Sequence, residues 1–182
     1  MNDDKLSVMS GDPDALRPAS LRRFIVFHLA AQAYGIDLND VQEILPLAEL
    51  SRPPACPEVL AGFLRIGAEP IPVIRMAHLM ACPTLPPALY TPVLILRAAR
   101  ARMALLVDRV SSIAAVPDGG VSIVSDGYSV NNCVYGIVQR PGAPVLLVSS
   151  ERLLLEKERQ CVEALTAREQ ARMQLVPEAC RE

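Results

Sequence analysis

The chain has 182 residues, 51% of them apolar, and a formal net charge of −2. That is enough for one domain or two small ones around a real core, and no apolar run reaches the roughly 18 residues a membrane span needs. With no basic run, no Trp, 3 Phe and 4 Tyr, the chain lacks both the electrostatic footprint and the stacking platforms of a nucleic-acid binder.

The N-terminal stretch "MNDDKLSVMSGDPDALRP" is acidic and polar. It has neither the basic nor the apolar region of a secretory signal, and residues 1–21 read as a disordered lead-in. "FIVFHL" and "AYGIDL" then alternate with period two around "AAQ", a hairpin. At Val41 and Ile44 the period changes to three, which predicts one helical turn capped by Asn39 or Asp40. "SRPPACPEV" is a loop, and "GFLRI" with "PIPVIRM" form a second strand pair.

The pattern then repeats. Shifted by 69 residues, 24–44 falls on "VLILRAARARMALLVDRVSSI" (93–113), and seven apolar positions meet apolar positions. Shifted by 74, 62–80 falls on "GIVQRPGAPVLLVSSERLL" (136–154), with Gly62 on Gly136 and Pro70 on Pro144. Agreement of glycine, proline and turn positions, not only apolar ones, argues for duplication. The halves span about 24–80 and 93–154. Short strands with Gly/Pro turns imply a sandwich or barrel. Two such small units are marginal alone and are expected to share a core at their junction. The short turn of each half is expected to plug its barrel, burying Val41 and Ile44, or Val110 and Ile113.

After Leu155, "EKERQCVEALTAREQARMQLV" carries charge on all faces and a weak apolar row, Leu155, Val162 and Leu165. It reads as a peripheral C-terminal helix or a partner-binding one, within a segment 156–182, with Arg159 and Glu163 spaced for an ion pair. The Arg-rich "RAARAR" (97–102) marks a hairpin tip, either a charge guard or a contact for an acidic protein. "PDGG" (117–120) and "SDG" (125–127) are turn signals. Cys56, Cys82, Cys133, Cys161 and Cys180 form no CxxC and suit a reduced, cytoplasmic setting. His28 and His78 have no ligand at metal spacing, and Asp37, Asp40 and Glu43 read as a solvated face. No catalytic motif is found, so no catalytic residue, metal or cofactor is assigned.

"YGIDLNDVQEI", "PEVLAGFLRIGAEPIPVI", "RMALLVDRVSSI", "YGIVQ" and "LLVSSERLL" together resemble the CheW-like family, the adaptors of bacterial chemosensory arrays, over roughly residues 22–155. The resemblance implies a mostly β fold of two pseudo-repeated, intertwined, five-stranded SH3-like barrels, to which this chain adds short helices and a C-terminal helix. It implies no catalysis. The implied partners are the regulatory domain of a CheA-type histidine kinase, the cytoplasmic tip of chemoreceptors, and other CheW-like proteins, with a cytoplasmic location at membrane receptor arrays and no direct membrane insertion. By the resemblance, Val41, Glu43, Gly62 and Val110 lie at or near a receptor groove. Where the family has Asn-Leu-Arg-Gly, this chain has Arg65, Ile66, Gly67 and Ala68. Gly67 holds the arginine position, and Arg65, two residues earlier on a strand, is expected to reach from the same face. The family's Asp after "PVI" is Arg75 here, and its second-half counterpart is Ser149. Two alternatives accompany the adaptor reading: an adaptor of a non-flagellar pathway (surface sensing, pilus motility or second-messenger output), and a small-ligand-binding β-barrel with its site at the junction.

Overall fold

A computed structural model describes residues 21–54, 56–88, 90–97, 102–127 and 129–175. The expected lead-in, except Leu21, lies outside these residues. So do Cys180, most of the "RAARAR" tip and the last residues of the C-terminal segment.

Among the described residues, eleven strands run β1 Leu21–Leu29, β2 Gln32–Asp37, β3 Val41–Pro46, β4 Leu60–Ile66, β5 Glu69–Arg75, β6 Pro92–Leu96, β7 Ala104–Leu106, β8 Arg109–Pro117, β9 Ser122–Ile123, β10 Val134–Val138 and β11 Val145–Val148. A one-turn helix α1 (Met76–Leu79) follows β5, and α2 (Glu156–Leu175) ends the described chain. The strands make two sheets, ordered β8-β1-β2-β11-β10-β9 and β3-β6-β7-β5-β4. Each sheet borrows a hairpin from the other half. β1–β2 joins the second-half strands, and β6–β7 joins the first-half strands.

The duplication holds down to the register. Ile25 faces Ile113 as Leu94 faces Ile44, and these pairs are related by the 69-residue shift. Val73 and Ile74 lie beside Ala104 and Leu105 in parallel, as Leu147 and Val148 lie beside Gly35 and Ile36. Even the irregularity repeats, between Leu60 and Gly62 in one half and between Val134 and Gly136 in the other.

The sheets are curled and open, not closed five-stranded barrels. In the six-stranded sheet, the edge strands β8 and β9 are consecutive in the chain and joined through a 3-10 turn at Asp118–Gly120. In the five-stranded sheet, one bridge ties the segment after β3 to β4: Ser51 N donates to Phe63 O at 3.0 Å and Phe63 N to Ser51 O at 2.8 Å.

The expected helical turn at 41–44 is corrected. The turn lies earlier, at Leu38–Asp40, and Asp37 caps it, its Oδ1 accepting from Asn39 N at 2.9 Å. Val41 onward is strand, because β6 supplies a ladder partner that outweighs a one-turn local preference. Val110 and Ile113 are likewise in strand β8. The three-residue spacing therefore loses its meaning. Val41 is buried, but Ile44 is 42% and Ile113 61% exposed, overturning the expected plug.

The core has three parts. One cluster fills each sheet's concave side, around Phe24 and Leu147 and around Ile71 and Ile95. The largest lies between the sheets and includes Phe27, Ile36, Phe63, Leu94 and Leu105. The expected shared junction core is therefore present. No helix among the described residues is long and apolar enough to cross a membrane.

Candidate functional site

Five of the six sequence-derived candidates fall into two groups, and Gly62 stands apart. Val41 and Val110, equivalent under the duplication, both pack against the central cluster, Val41 fully buried and Val110 half-buried. Beside them the edge strands β3 and β8 present Glu43, Ile44, Ser112 and Ile113 to solvent.

Arg65 and Gly67 form the second group, at the tip of the β4–β5 hairpin. Gly67 is not in the strand. It opens a two-residue turn between the paired residues Ile66 and Glu69, with φ +62, a left-handed conformation that glycine adopts without cost. Position 67 therefore does not share a strand face with Arg65, and the same-face expectation fails. Arg65 is exposed and folds toward the turn, its Nε donating to Gly67 O at 3.3 Å.

Gly62 has a local structural task. Its φ is +150, and a Cβ there would lie 2.7 Å from the Ser51 carbonyl oxygen. The Ser51–Phe63 bridge needs that close approach, so the strand edge closes only over glycine.

The acidic trio is partly engaged in the fold. Besides capping the turn, Asp37 accepts from Arg22 at 3.2 Å, and Asp40 accepts from Ser150 Oγ at 2.8 Å across the two halves. Arg22 also donates to the Tyr135 hydroxyl at 3.2 Å and lies over the Phe24 ring at 5.1 Å. Burial pushes the Tyr135 phenol up, against the opposing pull of Arg22. Burial and the neighbouring Arg109 charge hold the His28 imidazole below its usual range. His78 lies 4.0 Å from Glu58 at the surface.

Three arrangements escaped the sequence reading. Arg75 staples the loop before β4, donating to the carbonyls of Glu58 and Leu60 at 3.0 and 3.1 Å. Arg102, a described shoulder of the Arg-rich tip, pairs with Glu69 at 2.6 Å. Glu169 of α2 is 3% exposed and accepts from Ser51 Oγ at 2.6 Å and from Arg172 at 2.7 Å. The expected Arg159–Glu163 pair is replaced by Arg159–Glu156 at 2.6 Å. An arginine in an acidic position was the only signal for the first. The Arg102–Glu69 pair and the Ser51–Glu169 bond join residues far apart in sequence and leave no local pattern.

Residues 23–158 match the family model described as CheW-like domain. The chain is 23% identical over 145 residues to a "Chemotaxis protein CheW" of Treponema pallidum (strain Nichols), covering 76% of this chain and 85% of that protein. Its fold is similar to the crystal structure of the scaffolding protein TtCheW from Thermoanaerobacter tengcongensis, with a TM-score of 0.70, 20% identity, and coverage of 76% of this chain and 97% of the other. A family model spanning most of the chain agrees with the duplicated, hairpin-exchanged sheets and with the motifs that carried the resemblance, and on that ground the chain belongs to the CheW-like domain family.

Proposed function

We propose that this chain is a non-catalytic chemosensory adaptor. It holds the regulatory domain of a CheA-type histidine kinase and the helical tip of a chemoreceptor, in the cytoplasm beneath a receptor array. The observation that carries the reading is the pair of edge strands β3 and β8. They are equivalent under the duplication, stand at the ends of their sheets, and display the exposed Ile44 and Ile113. An unpaired strand edge is a template for another chain, and two such edges suit a molecule that links partners. The relatives named chemotaxis and scaffolding proteins support the same reading.

Sheet-edge contacts of this kind bury on the order of 1,000–1,500 Å², which corresponds to roughly micromolar binding of the kinase domain. Calorimetry with that domain tests it; no heat at about 100-fold higher concentration would end the kinase half of the proposal. The receptor half turns on Val41, Glu43, Gly62, Arg65, Gly67 and Val110. Arg65→Ala is expected to weaken receptor-tip capture about 10- to 150-fold through loss of charge-assisted hydrogen bonds, with kinase binding unchanged. Undiminished capture would remove Arg65 from the site. A specific observation favours a divergent adaptor: at φ +62, position 67 disfavours any residue with a Cβ, so the family's arginine has no unstrained place in this turn.

A further inference from the structure

Most of α2 lies past residue 158, where the family match ends. It rests against β5, and only Val162 and Glu169 of the helix are fully buried. So sparse a seat leaves a cleft of about 490 Å³ between helix and sheet. That volume falls within the roughly 300–1,000 Å³ of small-molecule sites. The walls are mainly apolar, from Pro70 and Pro72 of β5, Met103, Leu154 and Val162.

The polar groups of the cleft can be accounted for one by one. The two prolines carry no N–H. Gln170 Nε2 donates to Ala68 O at 3.0 Å and Thr166 Oγ1 to Val162 O at 2.7 Å, so both groups are engaged. Arg102 and Arg159 also line the cleft, and each pairs through a terminal nitrogen at 2.6 Å, with Glu69 and Glu156 respectively. Their Nε atoms are different. Both are shielded from solvent and, among the described residues, neither meets an acceptor. Buried donors left so are rare and costly. The two side chains are 33% and 22% exposed, which leaves each room to turn its N–H toward a guest. The lining guanidiniums are balanced by the carboxylates of Glu69 and Glu163, so no net charge draws an anion. The complementary guest has an apolar body, no charge, and an oxygen that accepts a hydrogen bond.

We propose that the cleft between α2 and β5 binds a small neutral acyl compound, its chain on the apolar walls and its carbonyl oxygen accepting from Arg102 and Arg159. The site is built largely by the helix beyond the family match, and it stands independently of the adaptor reading.

The test uses the full chain and the neutral dye N-phenylnaphthylamine, which fluoresces in apolar sites. The dye is expected to bind wild type, and Ala167→Trp, a change at an exposed residue of the cleft wall, to abolish the signal by filling the space. Amide hydrogen exchange locates the guest whether or not that variant folds. With methyl octanoate added to wild type, exchange is expected to slow across residues 162–170 and to keep its rate in β1 and β2. Methyl octanoate is expected to displace the dye at least about 5-fold better than octanoate, whose charge must be desolvated without a compensating cation. Arg102→Lys and Arg159→Lys keep each charge and remove the Nε–H. Each is expected to weaken methyl octanoate about 5-fold, the worth of one hydrogen bond, with dye affinity unchanged. No dye binding by wild type, or exchange protection that falls outside α2, would overturn the site. Equal displacement by ester and carboxylate, or undiminished ester affinity in both lysine variants, would overturn the neutral carbonyl head and the proposal with it.

Discussion

Val41 is 6% exposed within the central cluster, while Glu43 on the same strand is open to solvent. Val41→Asp strands an unpaired charge among apolar side chains and is expected to cost about 3 kcal/mol or more. Glu43→Lys should stay within about 0.5 kcal/mol. Urea midpoints separate the two, and equal midpoints would contradict the burial assigned to Val41. The equivalent glycines give a finer comparison. A Cβ on Gly62 meets backbone, the Ser51 oxygen at 2.7 Å, at a φ of +150 that side chains avoid. A Cβ on Gly136 meets the Val121 Cγ1 at 2.7 Å, a side-chain atom with more room to yield. Gly62→Ala is therefore expected to cost about 2 kcal/mol or more and Gly136→Ala about half of that, again from urea unfolding. Losses of the same size would show that backbone conformation at position 62 carries no extra strain.

Among the elements, α2 has the plainest pH dependence. Burial pushes the Glu169 carboxyl up, but the hydrogen bonds from Ser51 and Arg172 outweigh it and leave its pKa lowered. A carboxylate with a lowered folded pKa stabilises its state fully above the unfolded value of about 4.3, and that contribution fades as pH falls through the folded value. Ser51 does not titrate. Docking of α2 is therefore expected to weaken below about pH 4, read as faster α2 exchange at acid pH after correction for intrinsic rates. Glu169→Gln should abolish that dependence, and its persistence in the variant would assign the effect to another group. Element by element, the hairpins were legible because period-two alternation survives wherever one face is buried, as in "AYGIDL". The residues after Asp40 were not. Their spacing satisfied a helix, and only the presence of β6, which local sequence cannot announce, made them a strand. Val41 and Val110 do meet the central cluster, but as strand residues and not as the helical plug that their spacing suggested. Gly67 was misread because one positive φ turns a strand into a turn.

At the scale of the whole molecule, duplication was readable from two shifts of the sequence, but not the exchange of hairpins between sheets, which is a matter of which edges meet. That exchange makes neither half self-sufficient. β1 and β2 find their sheet partners in β8 and β11, and β3 and β5 find theirs in β6 and β7. Residues 1–91 alone are expected to remain without cooperative unfolding, and joint expression with residues 92–182 to restore it. A separately folded N-terminal half would refute the exchanged pairing. The same exchange sets a timetable on the ribosome. The five-stranded sheet has all its strands once residue 106 has emerged, whereas the first hairpin made, β1–β2, waits for β11 at residues 145–148. At ordinary rates of synthesis that gap is about 2 to 8 seconds. During it β8 can already pair with β1, but the outer edge of β2 has no partner and the cluster around Phe24 still lacks Val138, Val145 and Leu147, so the earliest strands of this protein are among the last to be sheltered.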